Sequence, residues 1–265
     1  MNERLFNLVG KAAIITGAGS ASGIGFASAT ILAKMGAAVY LTGAGERVLD
    51  RAKELREQGY DAVASIADLT DRPQIHNLIE DIKNRFNTLD ILVNNAGMVS
   101  VIDLPTAEKE DGSLETVTLA GFEKSMSRNL TSAVAVTQGL LPLIKKSSSG
   151  RIVMVSSLTG STMAMRNQVS YAVAKAGLIG LTKSLALDEA QFGITVNSVA
   201  PGWIATSSAT DDESLHGHQT PMGRSGTAAE VASAIAWLCT TEASYITGQT
   251  LIVDGGNSIA EERAH

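Results

Sequence analysis

The 265-residue chain has one cysteine, five prolines, 4% aromatic residues and no excess of basic charge. Each shortage excludes something. The lone thiol, Cys239, cannot close an intrachain disulfide, so stability must come from a core, and a chain of this length can bury a large one. No basic residue adjoins Cys239 in sequence, and its apolar helical setting predicts a buried structural thiol rather than a nucleophile. Few prolines beside 25 glycines argue against low complexity and for backbone that approaches other backbone or a ligand. Lys and Arg number 21 against 27 Asp and Glu, a net charge of −6, so there is no basic field to neutralise a phosphodiester and nucleic acid is excluded as a partner. No apolar run reaches the ~18 residues of a membrane span. The opening MNERLFNLVG lacks a basic region followed by an apolar core, so no membrane anchor or secretory signal is expected, and the cytoplasm is the default location.

What is present is alternation. Apolar runs at 11–16, 37–42, 62–67, 89–94, 151–156, 195–200 and 251–253 read as strands. Helical patterns fill 26–35, 47–58, 72–86, 122–144, 170–192 and 228–240. The strand runs are continuous rather than alternating, as strands covered on both faces require. Strand–helix alternation of this kind predicts an α/β fold, a doubly wound parallel sheet with helices on both faces. No linker or repeat interrupts it, so residues 1–265 are expected to be a single domain. Two irregular stretches, 98–121 and 207–226, follow strands on the carboxyl side, where an open parallel sheet forms its ligand crevice.

The first strand leads into TGAGSASGIG, residues 16–25. Glycines there permit a tight turn and close approach to a pyrophosphate, and the following helix offers its unpaired N–H groups. Either Gly17 or Gly19 can serve as the first glycine, ahead of Gly23 and Gly25. No acid stands at Thr42, Gly43 or Ala44 to hold a ribose diol, whereas Arg47 could reach a 2′-phosphate. The chemistry therefore favours NADP(H), with NAD(H) possible; the plain alternative for Arg47 is a solvated helix-start charge. Asp68 either accepts from an adenine amino group or caps the next helix.

Tyr171 and Lys175 lie four apart on a helix and share a face. A phenol titrating near pKa ~10 is a poor acid–base group at neutral pH. An adjacent ammonium is expected to lower its pKa, and a positively charged nicotinamide to lower it further. Ser157 ends the preceding strand and could orient a substrate oxygen; Ser156 is its rival. Asn129 sits inside a helical pattern, where Asn has poor propensity, and its amide could interrupt the helix and hold a water. Asn94-Asn95-Ala96-Gly97 closes the fourth strand, and Pro201-Gly202 turns sharply after the sixth. His216 and His218 are read as exposed loop residues. Met163 and Met165 fall in the pocket wall. No metal-ligand grouping is visible, and no G-x-S-x-G elbow supports a serine hydrolase.

Taken together, TGAGSASGIG, ADLT, NNAG, Asn129, Ser156-Ser157, YAVAK, NSVAPG and ITGQTLIVDGG resemble the short-chain dehydrogenase/reductase family, in family order over residues 8–256. The likeness is greatest to the branch holding 3-oxoacyl-[acyl-carrier-protein] reductases and many sugar and small-alcohol dehydrogenases. The resemblance implies a Rossmann fold and hydride transfer between a nicotinamide and a carbonyl or secondary alcohol. It implies Tyr171 as general acid/base, Lys175 lowering its pKa and holding the nicotinamide ribose, Ser157 orienting the carbonyl, and Asn129 holding a relay water. It also implies cofactor contacts from Gly17, Gly19, Ser22, Gly23, Ile24, Arg47, Asp68, Leu69, Asn95, Ala96, Gly97, Pro201 and Gly202. Ile204 and Thr206 would meet the carboxamide, and the chain would form a homotetramer. A cofactor-sensing protein without turnover and a scaffolding role are the alternatives. The chain departs from the family in a longer phosphate loop, a longer Ser157–Tyr171 gap, and an extended segment between Gly97 and Asn129. That segment carries Glu108-Lys109-Glu110-Asp111; if these acids face the entrance they repel an acidic carrier protein, and otherwise they are a solvated loop.

Overall fold

The computed structural model describes residues 5–97, 109–207 and 209–261. Its elements begin β1 (Ala12–Thr16), α1 (Ile24–Lys34), β2 (Ala38–Gly43), α2 (Arg47–Glu57), β3 (Ala62–Ile66), α3 (Arg72–Arg85) and β4 (Ile91–Asn94). Then come α4 (Leu119–Met126), a π-helical turn (Ser127–Thr131), α5 (Ser132–Ile144), β5 (Arg151–Val155), α6 (Val169–Glu189) and β6 (Thr195–Pro201). The remainder holds β7 (Ile204–Ala205), α7 (Asp211–His218), β8 (Gly226–Thr227), α8 (Ala228–Leu238) and β9 (Thr250–Val253).

Seven strands pair in parallel in the order β3-β2-β1-β4-β5-β6-β9, and β7 pairs with β8 separately. This is the expected Rossmann arrangement. Side chains of β1 alternate between two cores: Ala13 and Ile15 pack with α1, α2 and α8, while Ala12 and Ile14 pack with α3, α5 and α6. The inner strands β1, β4, β5 and β6 are buried along their whole length, which explains their unbroken apolar sequence. From β1 the chain winds outward to β3, then crosses back to β4 on the other side. The carboxyl ends of β1 and β4 therefore part, and a ligand crevice opens between the loops that leave them.

Three expectations need correction. The pattern at 122–144 is not one helix: a π-helical turn divides α4 from α5. Five residues close this wider turn where regular helix would use fewer, and Asn129 lies within it. The stretch 207–226 is not irregular throughout, since α7 forms there behind a reciprocal Thr210–Glu213 capping box. Of the segment 98–121, residues 98–108 lie outside the described residues, and its last three residues already belong to α4.

At the opposite, amino-terminal edge of the sheet, a cleft of about 510 Å³ is lined by residues including Lys11, Gly59, Tyr60, Asp61 and Phe86. None of the predicted site residues lines it. Asp90 closes this edge: it accepts from Lys11 Nζ at 3.1 Å, the Ala12 amide at 3.0 Å and Ser147 Oγ at 2.6 Å. Replacing Asp90 with Ala removes a largely buried charge partner and orphans a buried amide. Chemical denaturation should show a loss of about 3 kcal/mol.

Candidate active site

The end of β1 is bound to the end of β4 by side chains. Thr16 Oγ1 accepts from the Asn95 amide at 3.0 Å and the Ala96 amide at 2.9 Å. Asn95 Nδ2 donates to the carbonyls of Thr16 at 2.9 Å and Gly17 at 3.0 Å. Gly17 adopts φ +68°, and a Cβ there would stand 2.7 Å from Ala96 Cα. Gly17 thus has the conformation and the close backbone contact that a tight turn requires of a glycine. Gly19 instead lies beside α2, in ordinary contact with Val48 and Arg47. Gly23 begins α1 with no side-chain bond to the helix amides, and no acid occupies the first turn. Those donors suit an anion. The extra residues of the loop also have a use: Ser22 Oγ accepts from the Ser207 amide at 2.8 Å, and Ser20 Oγ lies 3.1 Å from Ser207 Oγ. The loop is thereby joined to the segment after β7. Ser20 and Ser207 could not be paired from sequence, because the contact spans most of the chain.

Arg47 is exposed at the start of α2, its Cβ 3.9 Å from where a Gly19 side chain would begin. Glu46, which sequence reasoning passed over, stands exposed one residue earlier as the cap position of α2. Asp68 does not cap α3; Asp71 does, accepting from the Gln74 amide at 3.0 Å. Asp68 folds onto Thr70, accepting from its amide and hydroxyl at 2.9 and 2.7 Å. Leu69 turns into the core beneath.

The four side chains expected to carry the chemistry come from three elements at the carboxyl edge. Ser157 leaves β5; its hydroxyl accepts from the Thr159 amide at 3.2 Å and lies near enough to the phenol of Tyr171, on the first turn of α6, to oppose the rise of its pKa. Its rival is committed elsewhere: Ser156 Oγ donates to the Val199 carbonyl at 3.1 Å and accepts from Ser198 Oγ at 2.7 Å. Lys175 is buried at 2% exposure, its Nζ donating to the Val155 carbonyl at 3.1 Å and lying 5.5 Å from the centre of the Tyr171 ring. Burial lowers its pKa to about 8. Tyr171 is partly exposed, yet desolvation raises its pKa, opposed by the Ser157 hydroxyl and reinforced by the charge of Glu213. The expected downward shift is therefore reversed in the free protein: desolvation is the largest cause, and the Lys175 ammonium is directed to the Val155 carbonyl. Asn129 is fully buried, with Nδ2 3.2 Å from the Ser125 carbonyl. Gly97, at φ +131°, lets NNAG pass so close that a Cβ there would stand 2.8 Å from Asn129 Oδ1.

Neighbouring candidates are placed less centrally. Asn94 is structural, joining β4 to α5 and β5 through Thr137 and Met154. Pro201 and Gly202 tie β6 to Leu158 and Val253 through backbone bonds, and Ile204 belongs to the β7–β8 ladder. Thr206 follows that ladder. Met163 bonds back to Gly160, while Met165 is exposed. The histidines are helical, not looped: both lie on α7, and the His216 ring stacks on Trp203 at 5.1 Å. The acidic run is neither an acidic face nor simply solvated. Glu110 is buried against Arg128 and Asp111 lies 3.8 Å from Lys109, while Glu108 lies outside the described residues.

A sheet order of this kind, a glycine cradle at its crossing point and a Ser–Tyr–Lys cluster beside it fit a nicotinamide dinucleotide. The family described as enoyl-(acyl carrier protein) reductase matches residues 17–258. The chain belongs to the short-chain dehydrogenase/reductase family. It is 40% identical over 252 residues to a 3-oxoacyl-[acyl-carrier-protein] reductase of Salmonella typhimurium, covering 93% of this chain and 97% of that one. A tropinone reductase homologue of Arabidopsis thaliana is 37% identical over 265 residues, covering 97% and 96%. A dehydrogenase/reductase structure from Sinorhizobium meliloti superposes with TM-score 0.85 at 32% identity, covering 96% and 97%. This short-chain dehydrogenase/reductase is thus a nicotinamide-dependent oxidoreductase acting on carbonyl or alcohol groups. Among the described residues no group of acids, histidines and cysteine could hold a metal, and no helix is long and apolar enough to cross a membrane.

Two outcomes follow from the buried groups. Because the Lys175 pKa falls from 10.5 to about 8 on folding, the unfolded chain holds more protons between those values, so stability should rise with pH across that window. Lys175→Met should remove the rise, as read by denaturation at a series of alkaline pH values. Cys239 is buried with its thiol pushed up to about 12, since desolvation outweighs the nearby Arg151. It should resist an aromatic disulfide reagent in the folded protein and react at once in denaturant.

Proposed function

We propose that the protein is an NADP(H)-dependent reductase of a carbonyl group, or dehydrogenase of the matching secondary alcohol, using Tyr171, Lys175, Ser157 and Asn129. The grouping of Ser157 near Tyr171, with the Lys175 ammonium buried 5.5 Å from the centre of the Tyr171 ring, carries the proposal. The cofactor supplies hydride to the carbonyl carbon. Ser157 and Tyr171 donate to the carbonyl oxygen, and Tyr171 gives up its proton as that oxygen becomes an alkoxide. A raised phenol pKa suits this direction, because it keeps the donor protonated at neutral pH. Lys175, still largely protonated at neutral pH, supplies the positive charge that eases phenolate formation. Asn129, packed against Gly97, is suited to hold the water that returns the proton.

Arg47 beside Gly19 supports the 2′-phosphate preference, while Glu46 at the cap position is the feature that favours a ribose diol and hence NAD(H). The cofactor contacts inferred from the family extend this reading to Ser22, Ile24, Leu69, Ala96, Ile204 and Thr206. The convergence of four chemically competent side chains supports turnover over sensing or scaffolding. Leu119, Val134, Val173 and Leu187 leave apolar surface exposed on α4, α5 and α6, which supports the tetramer; light scattering should give four times the chain mass. A free, unpaired thiol suits the cytoplasm. An oxoacyl reductase and a tropinone reductase homologue resemble the chain at 40% and 37% identity, so the proposal is confined to a carbonyl group and names no particular substrate.

Thermal unfolding with NAD⁺, NADH, NADP⁺ and NADPH tests the cofactor. A nucleotide at a hundred times its Kd should stabilise by about 2.7 kcal/mol. NADPH should act at lower concentration than NADH, and Arg47→Ala should erase the difference. Equal action of the two nucleotides, or an unchanged preference in that variant, overturns the phosphate assignment. Reduction of ethyl acetoacetate and 2,3-butanedione, followed by nicotinamide absorbance, tests the chemistry. Tyr171→Phe should keep its NADPH stabilisation and lose about 10²–10⁴ in kcat. Full turnover in that variant rejects the reading.

A further inference from the structure

The extended segment before α4 returns to the site at residues 109–113. Its Lys109 carbonyl presses on the first turn of α4, where a Cβ on Gly121 would stand only 2.0 Å away. Its Gly112 amide donates to the Asn167 carbonyl at 2.7 Å, and Gly112 bridges to Gln168, the residue before α6. Between these two anchors lies Glu110, which makes two contacts. Its backbone carbonyl accepts from the hydroxyl of Ser170, the residue before Tyr171. Its carboxylate, with the side chain 2% exposed, lies 3.0 Å from the guanidinium of Arg128, the residue before Asn129.

We propose that Glu110 is a positioning residue, a strut that sets the π-helical turn and the first turn of α6 at the separation at which Asn129 and Tyr171 serve one site. The inference rests on the catalytic reading given above. Regular α-helix holds its own geometry, but a π-helical turn has weaker internal packing and takes its shape from its neighbours. A carboxylate removed from water is a costly anchor, retained only where its counter-ion holds it. Here Arg128 faces it from the π-helical turn and Lys124 from α4, both favouring the charged form. Asp111 on its own segment opposes them, and burial pushes the carboxyl above the usual glutamate range. Without the pair, the π-helical turn is free to shift against the first turn of α6. In a cooperating pair of catalytic groups, a displacement of this origin is read in turnover rather than in cofactor affinity.

The test compares the whole protein with Glu110→Gln, Arg128→Met and the double variant, using NADPH and ethyl acetoacetate, with Tyr171→Phe alongside. Glu110→Gln should lower kcat about tenfold to a hundredfold while the KM for NADPH changes by less than about twofold. The double variant should be no worse than either single one, because both break the same contact. Hydrogen exchange without nucleotide supplies the second readout: residues 127–131 and 169–172 should both exchange faster in Glu110→Gln than in wild type. Should Glu110→Gln fail to fold, Arg128→Met cuts the pair from its other side and is read in the same way. Unchanged kcat, additive losses in the double variant, or exchange in both segments unchanged from wild type overturns the proposal. An active Tyr171→Phe instead overturns the catalytic reading and leaves the exchange result standing.

Discussion

Everything at the active edge depends on how two strand ends are held as they part. Between β1 and β4, at the point where the chain reverses its winding, the Thr16 hydroxyl accepts from the Asn95 and Ala96 amides and the Thr16 carbonyl accepts from the Asn95 side chain. Parallel strands have no hairpin to join their ends, so the junction must be made by side chains. With those bonds made, Gly17 and Gly25 can lie against Asn95 at distances no Cβ would allow. The phosphate cradle is thus less a property of glycine than of the asparagine against which the glycines close. A loop of the same composition without that partner would be an ordinary turn.

On the other side of the crevice, burial does the chemical tuning. Lys175 and Tyr171 are displaced toward their neutral forms by the same cause, loss of water, and the Ser157 hydroxyl opposes it only for the phenol. The free protein therefore rests with its tyrosine protonated and its lysine turned to the Val155 carbonyl. A phenol that keeps its proton is prepared to protonate an alkoxide.

Much of this was legible in the residues. Unbroken apolar runs located the strands of the sheet, most plainly the inner β1, β4, β5 and β6, which are covered on both faces. Tyr171, Lys175, Ser157 and Asn129 are proposed as a set by resemblance to the family, since the spacing of each one alone equally allows a plain structural use. Where reading failed, the determining contact was distant in sequence. The choice between Ser156 and Ser157 turned on Val199 and Ser198, a strand away. The downward shift expected for Tyr171 came from counting its helical neighbour and omitting desolvation. Asp68 looked like a cap because Asp71 gives the same local signal three residues later. Helix α7 is short and polar, so periodicity does not reveal it, although its Thr-x-x-Glu start was there to be seen. The acids at Glu110 and Asp111 resembled a solvated loop because nothing local shows that Arg128 waits for one of them.

The π-helical turn has a consequence for the phasing of the helices on either side of it. Successive residues of regular helix are set about 100° apart around the axis. The buried stripe of α5, with Val136, Leu140 and Leu143, is aimed at the sheet by that count, starting from the end of the turn. Loss of a single residue between Ser127 and Thr131 would let the chain wind straight through as regular helix. Either the stripe of α5 would then swing off the sheet, or α4 would rotate and carry Gly121 away from the Lys109 carbonyl. Length in this short stretch is thus as constrained as identity, and the two helices read as one in sequence are geared against each other through five residues.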